Sequence, residues 1–410
     1  MILINSQFLK IAHDNVQEKI NHRVSIFKAV NPQTKIIELN RGDVVRPLAP
    51  CVIEAMSKAL NEFSITETFR GRGPVEGYSF LIDAIAKHDF KAHKIKIDSS
   101  EIFINDGTKS ELAAIGDILC VDNRIAVTDP IYQTYLEANV IANRAGEIDS
   151  EGRWGHFLYM DCTKENDFMP QMLNESPEVI YLCYPNDPTG CTMSRKTLEK
   201  WVTYALENNI LIIFDATYEA FITDGVTPHS IYEVKGARRC AIELRSYSKC
   251  AGFTGLHCGY TVIPKELQGF SFSANKGATL NEIWRRRQEI KNYTPSYIVQ
   301  RGAESLYTTQ GQESIRENVE YYMHNASLLR SALQTTRLNF WGGVNSPFIW
   351  VESPYESSWQ LFDKLLIDCK ILSSPGERFG PGGKGFIRLS AFADQRQVTI
   401  ASSRLSDLDI

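Results

Sequence analysis

One stretch of the chain places a lysine where it could act as a nucleophile. Residues 240–244 form a largely apolar run, which leads through Ser246-Tyr-Ser-Lys249 into a glycine-rich turn and a second apolar run at 260–263. Burial at the end of a strand makes a charged amine costly and lowers its pKa, which frees it to form a Schiff base. Lys249 is therefore a candidate for holding pyridoxal phosphate. The Ser-x-x-Lys spacing also occurs in β-lactamases, and most lysines lie on the surface. This stretch alone therefore does not establish that Lys249 binds the cofactor.

The elements around this lysine repeat one pattern, a short apolar strand followed by a loop and a helix. Strands are predicted at 101–105, 125–128, 179–183 and 210–214, and helices at 110–119 and 194–209. This alternation predicts an α/β fold with a mostly parallel sheet, whose ligands bind where the strands end. A glycine turn before the helix at 110–119 would suit a phosphate, although an ordinary helix cap has the same pattern.

The remaining segments predict a second, smaller domain. Residues 1–45 form an N-terminal arm and part of that domain, with a short strand at 36–39. A helix at 50–63 precedes a glycine-rich loop at 69–77. We predict a large cofactor-binding domain at 46–295 and a C-terminal small domain at 296–410.

Composition excludes several classes of protein. The chain has 410 residues, of which 43% are hydrophobic and 23% charged, so it can bury a large core. A net charge of −5 provides no basic face for nucleic acid. No apolar stretch approaches the roughly 18 residues of a membrane span, and the N-terminus lacks the pattern of a signal peptide. We expect a cytoplasmic protein with no nucleic-acid or membrane partner. The cysteines and histidines show no zinc-site spacing, so we expect reduced cysteines and no metal.

Seven segments, in one order along nearly the whole chain, resemble the pyridoxal-phosphate enzymes of the class I/II aminotransferase fold, and most closely the LL-diaminopimelate aminotransferases. These segments are Asp106-Gly-Thr-Lys109, Asp129-Pro-Ile-Tyr132, Tyr181-Leu-Cys-Tyr-Pro-Asn-Asp-Pro-Thr-Gly190, Phe214-Asp-Ala-Thr-Tyr-Glu-Ala-Phe221, Ser246-Tyr-Ser-Lys-Cys-Ala-Gly-Phe-Thr-Gly255, Tyr297-Ile-Val-Gln300 and Phe386-Ile-Arg-Leu389. The resemblance implies a fold type I pyridoxal-phosphate-dependent transferase, with a seven-stranded, mostly parallel sheet in the large domain and a smaller α+β domain. It also implies a homodimer with shared active sites.

The resemblance implies roles for residues around the cofactor ring. Lys249 would hold the cofactor as a Schiff base and, once displaced by substrate, move the Cα proton. Asp215 would pair with the pyridine nitrogen and keep it protonated. Tyr218 would hydrogen-bond the 3-oxygen, and Tyr132 would stack on the ring. Without the surrounding motifs, core packing would explain Tyr132 equally well.

The resemblance also implies which residues bind two anionic groups, the cofactor phosphate and the substrate α-carboxylate. Thr108, Lys109 and Ser246 would bind the cofactor phosphate. Arg388 would bind the α-carboxylate of a small-molecule amino-acid substrate through its bidentate fork, although a surface ion pair is the ordinary role of an arginine.

Several positions depart from the family near the cofactor. Eight residues after the lysine, the arginine that clamps the phosphate is His257. In the loop at 71–77, Arg72 replaces a tyrosine that reaches the partner subunit's phosphate, and it could supply the lost cation. Asp187 replaces an asparagine that contacts the 3-oxygen, and a carboxylate there must be protonated or must raise the pKa of the Schiff base.

Positions that bind the far end of diaminopimelate in the family differ as well. Val75 replaces a loop glutamate, Asn15 falls on a tyrosine and Tyr293 on an asparagine. Gly42 lies in a segment where Leu-Gly-Ile-Gly-Asp has become Leu-Asn-Arg-Gly-Asp, at 39–43. A site built for one polar group binds poorly a ligand that lacks it, and the reverse holds. The changes predict a substrate other than diaminopimelate.

Together these departures predict side-chain elimination or cyclisation of an arginine-type amino acid. A transaminase must retain pyridoxamine phosphate largely through its phosphate, so a weakened clamp harms transamination most. The positive side chain of the substrate would be met by Glu76, Asp14 or Glu18. The alternative is an aminotransferase for LL-diaminopimelate or another amino acid, with 2-oxoglutarate. A non-catalytic relative that binds an amino acid is a third hypothesis, disfavoured because Lys249 and Asp215 are present.

Overall fold

Helices and strands alternate through most of the chain, of which the computed structural model describes residues 2–11, 15–291 and 294–410. In chain order the helices are α1 Gln7–Lys10, α2 Asn15–Val30, α3 Pro50–Glu62, α4 Ser79–Ile85, α5 Thr108–Ile115, α6 Thr134–Ile141, α7 Arg195–Asn208, α8 Tyr247–Cys250, α9 Leu280–Lys291, α10 Tyr297–Ser305, α11 Thr309–Gln334, α12 Ser358–Lys364 and α13 Gln395–Ser406. The strands are β1 Ile37–Glu38, β2 Ile102–Asn105, β3 Ile125–Asp129, β4 Phe157–Asp161, β5 Val179–Cys183, β6 Leu211–Asp215, β7 Ala241–Ser246, β8 Gly259–Val262, β9 Gln268–Ser271, β10 Lys276–Thr279, β11 Phe340–Gly342, β12 Phe348–Glu352, β13 Ile371–Leu372, β14 Ser374–Pro375 and β15 Phe386–Ser390. Single π-helical turns extend α4 and α12, at Ala86–Phe90 and Leu365–Cys369. No helix in these described ranges combines the length and apolarity needed to cross a membrane.

A seven-stranded sheet runs through the middle of the chain in the order β2-β8-β7-β6-β5-β3-β4. Neighbouring strands from β7 to β4 are parallel, whereas β8 is antiparallel to both β2 and β7. Side chains alternate between the two faces, so that Ile212 and Phe214 join one hydrophobic core and Ile213 the other. Strands buried on both faces are typical of parallel sheets covered by helices. The predicted α/β fold with a mostly parallel seven-stranded sheet is confirmed.

A four-stranded antiparallel sheet, in the order β11-β12-β15-β14, lies in the C-terminal part of the chain. Its core residues pack with those of α11 and α13. The N-terminal segment joins this part, because Ile37 pairs with Ile371 and Glu38 with Leu372. The domain boundaries near residues 45 and 295 stay a prediction.

Local sequence patterns predict the strands β2, β3, β5 and β6 and the helices α3, α5 and α7, whereas most other elements, including those of the C-terminal part, are not predicted. The helix α3 begins at a proline, which suits a first turn because its missing N–H needs no acceptor there. The strand at 36–39 shortens to β1. The structure adds a hairpin, β9 and β10, that the sequence does not predict, because most of its side chains are exposed and it lacks apolar alternation.

Candidate active site

A cavity of about 1740 Å³ opens where the strands of the large sheet end. The loops after β2, β3, β5, β6 and β7 contribute to its wall, as open α/β sheets do at their ligand sites. The N-terminal segment and the strand β15 close the other side. The predicted site residues that line the cavity are Asn15, Gly42, Thr108, Lys109, Tyr132, Asp187, Asp215, Tyr218, Ser246, Lys249, His257 and Arg388.

Three predicted residues, Arg72, Val75 and Glu76, do not line this cavity. They lie together in the loop at 71–77, where Arg72 is exposed and Glu76 forms an ion pair with Arg285. An ion pair within the same chain leaves Glu76 poorly placed to bind the side chain of a substrate in this cavity.

The N-terminal part of the chain places only some of its predicted residues at the cavity. Asn15 and Gly42 line it, whereas Glu18 on the same helix as Asn15 does not. Asp14 and Tyr293 lie outside the described residues.

Lys249 lies on the short helix α8, which directly follows β7. The hydroxyl of Ser246 caps this helix by accepting a hydrogen bond from the Ser248 N–H at 3.2 Å. The lysine Nζ lies 3.3 Å from Oδ1 of Asp43, and its side chain is 17% exposed. Burial raises the pKa of Asp43, but the hydrogen bond from Thr254 and the charge of Lys249 outweigh it, so this pKa lies below its ordinary value. The amine is therefore held at the cavity wall by an anion, a partner that the sequence pattern does not identify.

Asp215, the last residue of β6, carries a buried carboxylate held by neutral donors. Its Oδ2 accepts a hydrogen bond from the Tyr135 hydroxyl at 2.5 Å, and its Oδ1 accepts bonds from the Thr217 N–H at 2.9 Å and hydroxyl at 2.6 Å. Burial raises the pKa of Asp215, against the effect of these hydrogen bonds. Within the described ranges these hydrogen-bond partners, Tyr135 and Thr217, are uncharged. A cation bound in the cavity would supply the missing counter-charge.

A glycine turn and a helix start form a candidate phosphate site. Gly107 has a φ of 114°, and α5 begins immediately after it at Thr108. The first N–H groups of a helix lack acceptors within the helix, and the positive end of its dipole favours an anion. The hydroxyl of Thr108 lies 2.8 Å from that of Thr217, which ties this turn to the end of β6. His257 lines the same cavity from a left-handed backbone conformation with φ 58°.

Arg388 on β15 and Asp187 after β5 meet in the cavity wall. The Arg388 Nη1 donates to Asp187 Oδ1 at 2.6 Å, and Nη2 donates to the carbonyl oxygen of Asn40 at 3.0 Å. The rings of Phe348 and Phe379 lie 4.5 and 4.8 Å from the guanidinium carbon. The side chains of Arg388 and Asp187 are 7% and 10% exposed. The guanidinium is therefore fixed in position, and it already has an anionic partner.

The loop that carries Asp187 is held by its own side chains and by a close backbone contact. The Oδ1 of Asn186 accepts hydrogen bonds from the Thr189 N–H at 3.1 Å and hydroxyl at 2.7 Å. Gly190 has φ +69°, and a Cβ on it would lie 2.2 Å from the carbonyl oxygen of Phe348. Only glycine allows both this backbone conformation and this approach to β12.

Two predicted tyrosines complete the wall. Tyr132 packs edge-on against Tyr135 with ring centroids 5.9 Å apart. Tyr218 packs edge-on against Phe348 at 5.1 Å. Burial raises the pKa of Tyr218 well above its usual value, and the charge of Asp187 acts in the same direction. The Tyr218 phenol is therefore a neutral hydrogen-bond donor.

These groups fit pyridoxal phosphate. The buried Asp215 carboxylate suits a protonated ring nitrogen, and the Lys249 amine suits the cofactor aldehyde. The turn at Gly107 leaves open space, since a Cβ built there would meet no atom within 4 Å. The donor set therefore supplies a partner for the ring nitrogen, the aldehyde and the phosphate.

The family model described as aminotransferase class I and II matches residues 34–405. The chain belongs to this family, and it is a pyridoxal-phosphate-dependent enzyme that acts on a small-molecule amino acid. It is similar to the LL-diaminopimelate aminotransferase of Bacteroides thetaiotaomicron, at 48% identity over 409 residues, covering 99% of this chain and 100% of the relative. The enzyme of the same name from Parabacteroides distasonis is 48% identical over 406 residues and 99% of each chain. Among solved structures, the L,L-diaminopimelate aminotransferase of Chlamydomonas reinhardtii matches with a TM-score of 0.90 and 32% identity, over 99% of this chain and 98% of that chain.

The prediction of elimination or cyclisation on an arginine-type amino acid is wrong. Relatives that match over the full length of the chain are aminotransferases, which was the alternative prediction. The mistaken inference gave great weight to His257 and Val75. In the structure Val75 does not line the cavity of its own chain, and the backbone turn at Gly107 forms a candidate phosphate site that does not depend on residue 257. Because the chain is an enzyme of this family, the hypothesis of a non-catalytic relative is also wrong.

Proposed function

We propose that this protein is an LL-diaminopimelate aminotransferase that passes an amino group to a 2-oxo acid such as 2-oxoglutarate. The observation that carries the proposal is the 48% identity, over 99% of this chain, to an enzyme of that name. A solved relative of the same name, with a TM-score of 0.90, supports it.

Lys249 is the proposed base. When bound, the cofactor supplies a ring that accepts electrons and makes the substrate Cα proton acidic. The Nζ of Lys249 would take that proton and deliver it to its new position. Asp43, 3.3 Å from this nitrogen, would orient the amine before the cofactor binds.

Other residues would hold the cofactor in place. Asp215 would pair with the ring nitrogen, Tyr218 would donate to the 3-oxygen and Tyr132 would cover one face of the ring. The proposed phosphate ligands are Thr108, Lys109, Ser246 and His257, which line one cavity with the glycine turn.

Arg388 would bind the α-carboxylate of the substrate. A Cβ on Gly42 would lie 3.7 Å from Arg388 Nη2, so a glycine there leaves room beside the guanidinium. The far end of diaminopimelate carries both an ammonium and a carboxylate, and it needs partners of both signs. The cavity wall carries groups of both signs, with Glu38, Arg41, Glu377 and Arg378 among its lining residues.

We further propose a homodimer in which the loop at 71–77 of each subunit completes the site of its partner. Arg72 does not line the cavity of its own chain. Ile2, Leu3 and Leu9 are 91%, 93% and 75% exposed, and large exposed apolar side chains of this kind suit burial against a second chain.

A complementation experiment tests this arrangement. A heterodimer of Lys249→Ala and Arg72→Ala subunits would contain one site with both wild-type residues. Two nearly inactive variants, mixed after denaturation and refolding, should then recover about a quarter of wild-type activity. If the mixture recovers no activity, the shared site is contradicted. A protein that is monomeric by light scattering and still fully active would contradict it as well.

The reaction is tested with LL-diaminopimelate and 2-oxoglutarate, by measuring glutamate with mass spectrometry. We expect one glutamate for each diaminopimelate consumed, strict dependence on the oxo acid, and turnover by Lys249→Ala at least about 10²-fold below that of wild type. Release of product without an oxo acid would contradict transamination. Turnover of other amino acids with no turnover of LL-diaminopimelate would contradict the proposed substrate.

A further inference from the structure

The cation proposed to anchor the substrate α-carboxylate is already paired in this structure. Arg388 donates to Asp187 at 2.6 Å, and both side chains are at least nine-tenths buried. The loop that carries Asp187 is fixed by Asn186 and by the glycine contact with β12. The pair is therefore part of the rigid wall of the cavity.

A second carboxylate can reach Arg388 only by sharing the guanidinium with Asp187 or by displacing it. A guanidinium has five N–H donors, and the described contacts of Arg388 use one on Nη1 and one on Nη2. Donors therefore remain for a second carboxylate, but sharing places two carboxylates on one buried cation. Like charges at such a distance favour a shared proton. Displacement would leave Asp187 buried without a cation, which is strongly unfavourable.

The charges around Asp187 increase this preference. The Asp215 carboxylate at the end of β6 is close enough that Asp187 raises its pKa, with burial as the larger cause. Burial and the charge of Asp187 also raise the pKa of Tyr218. Arg388 is the cation in contact with Asp187 within the described residues. Other titratable groups that line the same cavity include Lys249, Asp43, His257 and Tyr132.

We propose that Asp187 determines specificity by coupling the binding of a carboxylate at Arg388 to the uptake of one proton. The proton comes from solvent and lies between the Asp187 carboxyl and the bound carboxylate, and no covalent bond to carbon forms or breaks. This rests on the proposed function in one respect, the use of Arg388 as the carboxylate anchor. The dissociation constant for a carboxylate should rise about tenfold per pH unit wherever binding takes up one full proton. An amide or alcohol at the same position would bind without this dependence.

Calorimetry with glutarate, an unreactive dicarboxylate, tests the proposal on the holoenzyme. Titrations at about pH 8 in two buffers of different ionisation enthalpy give the number of protons taken up. We expect close to one proton per glutarate for wild type and close to none for Asp187→Asn. The variant should also bind glutarate about 10 to 100 times more tightly at this pH, because the competing charge is gone. Glu151→Gln removes a charge from the cavity wall without contacting Arg388, and it should behave as wild type.

Several outcomes overturn the proposal. These are no proton uptake by wild type, equal uptake by wild type and Asp187→Asn, and absence of glutarate binding to both. If Asp187→Asn loses its native circular dichroism, Asp187→Ser replaces it in the same titration. During turnover, KM for 2-oxoglutarate should rise with pH in wild type and stay flat in Asp187→Asn, a difference that a merely structural role would not produce. Failure to use LL-diaminopimelate, with proton uptake intact, would refute the proposed substrate and leave the role of Asp187 standing.

Discussion

Replacing Asp215 with asparagine is expected to move protein stability and cofactor affinity in opposite directions. Without cofactor, the carboxylate is buried on the neutral donors Tyr135 and Thr217, and burial raises its pKa. An isosteric amide removes the cost of burying that charge. The same substitution removes the proposed anionic partner of the protonated ring nitrogen, so the cofactor should bind more weakly.

Both effects have an expected size. A hydrogen bond to a charged group contributes about 1.5–3 kcal/mol, so the cofactor dissociation constant should rise about 10- to 150-fold. Relief of the buried carboxylate should stabilise the apoprotein by about 1–3 kcal/mol. Because the folded-state pKa of Asp215 is raised, its contribution to stability is present at low pH and is lost as the pH rises through that pKa. The stability gained by the variant should therefore grow with pH.

Urea unfolding of the apoproteins at several pH values measures the first effect, and fluorescence titration with pyridoxal phosphate measures the second. Glu137→Gln is a matched control, since this exposed glutamate on α6 also lines the cavity, and neither quantity should change much. An Asp215→Asn apoprotein that is no more stable than wild type, together with unchanged cofactor affinity, would refute the reasoning.

Three further outcomes are expected. Lys249→Ala should give no borohydride-stable adduct by mass spectrometry and should lower amino transfer by about 10²–10⁴-fold, and an adduct on this variant would exclude Lys249 as the attachment site. Gly190→Ala should lower the free energy of unfolding in urea by about 2–5 kcal/mol, because the new Cβ meets the carbonyl oxygen of Phe348. Gly225→Ala, with a similar φ of +71° but open space, should cost only about 1–2 kcal/mol, and equal costs would disprove the contact argument. Burial raises the pKa of Glu111 to about 7, so stability present below its ordinary value of 4.5 should be lost as the pH rises through 7. The loss should reach roughly 3 kcal/mol, and Glu111→Gln should not show it.

The sequence predicts the large sheet and one side of the cavity well, for a local reason. Each strand and the loop after it are continuous in sequence, so Asp215 and Lys249 can be placed at the same edge from the strand pattern alone. The partners of these residues come from far away in the chain. Asp43 reaches Lys249 across 206 residues, and Arg388 reaches Asp187 across 201. Such contacts depend on how the two sheets are positioned, which no local pattern contains.

The reaction is harder to predict than the fold because the loss of one cationic side chain, at residue 257, receives more weight than the glycine turn that the sequence also shows. A histidine at 257 implies weaker phosphate binding only if the side chain at this position supplies most of that binding. Backbone N–H groups after Gly107 do not change with residue type, so they can bind an anion whichever residue stands at 257. Val75, in the loop at 71–77, supported the wrong reaction for a different reason. The sequence does not reveal that Val75 lies away from the cavity of its own chain.

The pairing of β1 with β13 forms a two-stranded sheet that can be completed only late in protein synthesis. Ile37 leaves the ribosome early, but its partner Ile371 is made more than 330 residues later. At 5–20 residues per second, this is a delay of roughly 20 to 70 s. The large sheet, whose strands are all complete by residue 262, can form during that delay. Ile37 and Leu39, which are buried in the native core, remain without their native contacts until translation is nearly finished. The nascent chain therefore exposes an apolar N-terminal segment for most of its synthesis, and this is where a ribosome-associated chaperone would be expected to bind.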